Sequence, residues 1–231
     1  MSRKAQFGRN AGTPERWEQR FAAQVAGWTG ADWEASQPVL ALLYRAGVRL
    51  ISGDACWTAT EVALVGQVVG NIERAFGGRV ERIIGGVTIK RTRASKWPLG
   101  YAWKRCLGWQ GLRAVRLNNS AFASGRAAHV LTHELGHYFE ETRRLIEPFR
   151  QATGGHQFNL LSIAQLNITE YKPGGQPPNT WARRNGLYED FAVSFETFVY
   201  QRLGQPVAGN VLDPRRGSFL ARFLDRPEQG A

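Results

Sequence analysis

"HVLTHELGHYFEE", residues 129–141, sets three histidines at four-residue intervals, His129, His133 and His137, with Glu134 directly after the second. On a helix, residues four apart stand one turn apart on one face, so His133 and His137 can offer two imidazoles to a single metal ion. Glu134 is rotated off that face, where it can take a proton from a water activated by the ion. Ala127, Ala128, Val130 and Leu131 before the motif suit a helix, and Gly136 leaves room for another segment to cross closely. The spacing predicts a helix from near Ser124 to about Arg144. Three successive turns cannot converge on one tetrahedral ion, so His129 is read as a core or supporting histidine.

A catalytic zinc keeps three protein ligands and one open position, so a further ligand must come from downstream. Two residues qualify: Glu189 in "YEDFAVSFETF" and His156 in "TGGHQF", the last histidine of the chain. Glu189 has small neighbours one turn on, Ala192 and Val193, which let its helix approach an ion. Glu196 shares its face and is either an acid that orients a ligating histidine or a solvated surface group. Asp190 is expected to be exposed or to pair with the helix N-terminal dipole.

"HELGH" followed about fifty residues later by Glu189-Asp190-Phe191-Ala192, a Glu-x-Phe-Ala helix, resembles the Glu-zincin metallopeptidases. It is most similar to the branch that holds the anthrax lethal factor catalytic domain and the MtfA-like peptidases. The resemblance implies one catalytic zinc held by His133, His137 and Glu189, with Glu134 as general base in peptide-bond hydrolysis. It also implies an α+β fold in which a small mixed β-sheet packs on the His-Glu-x-x-His helix and the Glu189 helix closes the site from below. The sequence departs from the branch at one point. A tyrosine two turns before the glutamate ligand is replaced by Trp181 and Ala182, and Tyr188 is the candidate to stand in for it. "GGHQF" in turn resembles the third-ligand segment of SprT-type DNA-associated proteases, which would make His156 the ligand; without zinc-ribbon cysteines that match is weaker. A third possibility is a non-catalytic binding module on the same fold.

Outward from the motif, Thr13-Pro14-Glu15 predicts a helix start with Trp17, Phe21, Val25 and Trp28 on one face. A second helix is expected from Pro38 to Ala46, then a strand at 48–51. Thr58 to Glu61 matches a capping box, opening a helix with Val65, Val68, Val69, Ile72 and Phe76 inward and ending at Gly77-Gly78. Residues 79–91 and 112–117 read as β-rich, 156–167 as a helix, 172–180 as a loop, 186–204 as a helix with Phe191, Phe195, Phe198 and Val199 on its core side, and "RRGSFLARFL" as a short last helix. The organisation that follows is a flexible basic segment at 1–12, one catalytic domain over 13–225 with 13–47 as a helical extension, and a frayed tail at 226–231.

The 231 residues carry a formal net charge of +11, which favours acidic partners. Between Arg82 and His133 there are ten Lys or Arg and no Asp or Glu, with Trp97, Tyr101, Trp103 and Trp109 interleaved. The rings are read as core and the charge as a surface, suited to an acidic or neutral polypeptide substrate in preference to nucleic acid. "LRAVRL" is expected to edge the cleft and take extended peptide by strand addition. Cys56 and Cys106 are too few for a disulfide framework and read as buried thiols, with a single Cys56–Cys106 disulfide as the alternative. With no secretory signal and no apolar run of about 20 residues, synthesis in the cytoplasm is expected, and export without a cleaved signal remains open.

Overall fold

Thr29 opens the first complete helix, α1 (Gly30–Arg45), through a capping box: its hydroxyl accepts from the Asp32 backbone at 3.2 Å, and the Asp32 carboxylate takes the Thr29 N–H at 2.7 Å. The computed structural model describes residues 19–93, 100–102, 114–159, 167–171 and 175–224. The sequence places this helix start at Pro38, but the proline lies inside α1. Pro38 and Glu34, whose carbonyl loses its partner to the ring, are both exposed, so water can serve that carbonyl. The preceding helix ends within residues 19–22. Phe21 is buried as expected, whereas Val25 leaves the helix to bridge Trp57, and the Trp28 indole donates to the Trp57 carbonyl at 3.0 Å. Trp17 lies outside the described residues.

β1 (Arg49–Ser52) leads into α2 (Ala59–Ala75), which carries the expected Thr58–Glu61 capping box. Val65, Val68, Val69, Ile72 and Phe76 are fully buried, and the helix ends at Gly77 and Gly78 with φ of +64° and +83°, a left-handed pair that side chains resist. The next segment is not a strand throughout. Val80, Ile83 and Ile84 follow helical spacing and are buried on α3 (Val80–Ile84), and only β2 (Thr88–Thr92) is extended.

β3 (Gly100–Ala102) and β4 (Ala114–Asn118) complete a mixed sheet of order β1-β2-β4-β3, parallel across β1, β2 and β4 and antiparallel between β4 and β3. "LRAVRL" therefore does not edge a cleft. Its described part lies between two neighbours, and β3 is the edge strand on that side; Leu112 and Arg113 lie outside the described residues, as do Trp97, Trp103, Trp109 and Cys106. Arg91, counted in the basic surface from sequence, is buried and bonds Glu61 at 2.7 Å. Cys56 is exposed and free, contrary to the buried thiol expected.

Asn118 caps α4 (Asn119–Ala123), and α5 (Ala127–Arg143) follows, ending at Arg144 in the left-handed region with φ 54°. α6 (Ile146–Thr153) is followed by a hairpin of β5 (Gly155–Asn159) and β6 (Asn167–Tyr171), where the sequence suggests a helix. α7 (Thr180–Asn185), α8 (Leu187–Arg202) and α9 (Pro214–Ala221) complete the fold. One face of α5 meets β3 and β4, another meets α2, and α8 packs along it; the hairpin reaches α6, α7 and α8. No helix among the described residues is long and apolar enough to cross a membrane.

Candidate metal centre

Two helices build the centre, and small residues let them meet. A methyl group added at Gly136 would lie 3.1 Å from the Ala192 Cα and 3.2 Å from the Phe195 Cβ, closer than ordinary packing tolerates. The glycine of the motif therefore lets α8 approach the face of α5 that carries the histidines. Phe191 and Phe195 fix the rotation of α8 from its core side, both fully buried, with Phe195 stacked on Phe76 at 5.6 Å and 19°. That rotation turns Glu189, in the first turn of α8, toward α5.

His133, His137 and Glu189 converge, each offering one ligand atom within 4.8 Å of the others. Glu189 Oε2 lies 3.2 Å from His133 Nε2, and Oε1 lies 3.3 Å from His137 Nε2. Charge-assisted hydrogen bonds close to about 2.7–2.9 Å, so these contacts are long for ion pairs. Ligand atoms about 2.05 Å from one tetrahedral centre sit about 3.3–3.4 Å apart, and each histidine has a Glu189 oxygen near that distance, Oε2 for His133 and Oε1 for His137. The donor set, two imidazole nitrogens and one carboxylate within 4.8 Å of one another, suits a divalent metal in kind.

The electrostatics concentrate negative charge around the histidines. Burial opposes charge on His133, but the Glu189 bond and the carboxylates of Glu134, Glu189 and Glu196 outweigh it and raise its pKa above the usual value. Burial would likewise raise Glu189, yet the two histidines hold its carboxyl far below the usual range. Glu134 is buried on α5 beside this cluster, 7% exposed.

Behind His133 stands a second layer. Glu196 takes the His129 Nδ1–H at 2.9 Å, and its other oxygen faces His133 Nδ1 at 3.9 Å. His129 stacks on Tyr200 at 4.5 Å and 24°. Glu196 is thus a buried partner of the histidines and not a solvated acid, and His129 supports it without joining the triad. Tyr188 is 38% exposed; burial, then the nearby Glu140 charge, raises its pKa. His156 lies on β5, its backbone paired with Glu170.

Asp190 overturns the expectation of an exposed or dipole-pairing acid. It is fully buried, taking two bonds from Arg216 at 2.8 and 2.6 Å and one from the Ser194 hydroxyl at 3.2 Å. Arg216, which also bonds Asp213, stands 26 positions away, and no local pattern in the sequence announces the pair. Trp181 donates its indole N–H to Glu189 Oε2 at 3.2 Å. From sequence it registers only as a residue standing where a tyrosine is expected.

Comparison of the chain with models of protein families, with curated proteins and with solved structures returns no match.

Proposed function

We propose that this chain is a zinc metallopeptidase on a zincin-like fold, resembling the lethal factor and MtfA branch of the Glu-zincins. One observation carries the reading: the motif histidines meet Glu189, about fifty residues distant in sequence, at the spacing of a common centre, with the motif acid beside them. The mixed sheet lying on α5 is consistent with that fold. His133, His137 and Glu189 would hold the zinc, and an N,N,O set of three protein ligands is the catalytic pattern, since four would close the site.

When bound, zinc would supply Lewis acidity, easing deprotonation of water near neutral pH and polarising the scissile carbonyl. Glu134 accepts the proton that the attacking water loses and returns it to the departing amine. Glu134 is buried on the helix that carries both histidines. Trp181 orients Glu189 by its hydrogen bond, and Glu196 places a negative charge beside His133. The substrate is a polypeptide.

The test is elemental analysis with a cleavage assay. Wild-type protein should hold one zinc, Glu189→Ala should hold little, and His156→Ala should match wild type. Glu134→Gln should keep zinc and lose about 10²–10⁴-fold in peptide hydrolysis. If His156→Ala empties the protein of zinc and Glu189→Ala does not, the ligand set is wrong. Hydrolysis undiminished in Glu134→Gln would refute the reaction.

A further inference from the structure

Large apolar side chains left in water need a reason. Among the described residues three are exposed: Trp181 at 60%, Tyr188 at 38% and Val211 at 74%. Two of them flank the triad in sequence or by contact. Trp181 lies on α7, Tyr188 immediately precedes Glu189, and the Val211 backbone N–H donates to the carbonyl of Pro178, three residues before Trp181. Leu187 and Phe191, on the same helix as Tyr188, are buried.

Trp181 is also held in place, as a loose surface ring would not be. Asn179 caps α7 by accepting from the Ala182 backbone at 2.8 Å, and its amide donates to Asn210 at 2.7 Å, which in turn donates to Thr197 of α8 at 3.0 Å. The Asn185 amide donates to the Trp181 carbonyl at 2.9 Å. From this short, pinned helix the indole reaches over to Glu189 with its one N–H. An indole has no second donor, so the ring has only its apolar faces left to offer.

We infer that Trp181 is the positioning residue of Glu189 and, through its exposed ring, the wall of a subsite for a large apolar side chain of the peptide substrate. The second half rests on the peptidase reading above. The first half does not, because a carboxylate oriented by Trp181 affects metal affinity whatever the reaction.

Two substitutions separate the roles. Trp181→Phe keeps a ring and removes the donor; Trp181→Gln keeps a donor and removes the ring. Zinc affinity, read by chelator competition, should weaken about 10–100-fold in Trp181→Phe and stay nearer wild type in Trp181→Gln. For the ring, the probes are zinc-loaded protein carrying Glu134→Gln and pairs of peptides that differ by Phe against Gly at one scanned position. At one position the Phe peptide should bind about 10–100-fold more tightly, and adding Trp181→Gln should abolish that preference while adding Trp181→Phe retains most of it. Zinc affinity unchanged in Trp181→Phe overturns the positioning role. A preference for Phe that is absent, or that survives Trp181→Gln, overturns the subsite. Absence of hydrolysis by the unmodified chain overturns the peptidase reading, and the substrate role of the ring with it, and leaves the zinc measurement standing.

Discussion

Glu189 and Asp190 are consecutive carboxylates on the first turn of α8, and the two sides of that turn treat them oppositely. Asp190 faces inward, fully buried, and meets Arg216 at hydrogen-bonding distance. Glu189 faces α5, partly exposed, and stands off from two histidines at 3.2 and 3.3 Å. The first acid takes three hydrogen bonds from Arg216 and Ser194; the second lies between two imidazoles and accepts from the Trp181 indole. The same chemical group pairs with a buried arginine on one side of a helix and joins a candidate metal-binding triad on the other.

The largest expected effect tests the inward side. Breaking a buried pair by removing one partner costs about 3–5 kcal/mol, so Asp190→Ala or Arg216→Ala should lower unfolding free energy by that amount in denaturant titration of metal-free protein. Glu189→Ala should lower it by less than that, because its carboxylate is partly exposed and its contacts to the two histidines are longer. Equal losses from the two acids would break the comparison. A smaller effect bears on the interface that carries both. Gly136→Ala, pressing on Ala192 and Phe195, should cost about 1–3 kcal/mol and weaken zinc binding, because it separates the helices that supply the ligands.

Glu196→Ala sharpens the outward side. It should weaken zinc affinity about 10–100-fold while leaving the fold of the metal-free protein intact, with His129→Ala smaller in the same direction. The smallest effect is a control from a carboxylate remote from both. Hydrogen bonds from Arg150 and Gln151 lower the exposed Glu147 to about 2 from 4.5. A depressed folded value means stability present above the unfolded pKa and lost as pH falls from about 4.5 toward 2. Glu147→Gln should therefore trail wild type slightly at pH 7 and equal it near pH 2 in thermal melts.

The parts legible in the sequence are those whose chemistry is local. The Thr58–Glu61 capping box, the Gly77-Gly78 stop and the spacing of His133 and His137 each complete their logic within a few residues. Pro38 misled because a proline signals a first turn, whereas an exposed face of α1 tolerates it in mid-helix. The stretch at 80–84 misled because Val and Ile suit strands by type, while their spacing and flanking glycines fit a helical turn. The hairpin at 155–171 was hidden because each strand is defined by its partner, not by its own pattern. Asp190 was misread for the same reason on a longer scale, its counter-charge arriving from α9. Glu189 became readable as a ligand through the Glu-x-Phe-Ala resemblance, since its own residues left His156 open.

The split of the ligand set between α5 and α8 also gives the site a timetable. At a synthesis rate of about 5–20 residues per second, the chain between His137 and Glu189 takes on the order of 3–10 s to emerge. Throughout that interval the nascent chain carries His133 and His137 without the carboxylate of the proposed ligand set. Only with α8, whose phenylalanines lie in the core, is the third member of the triad present.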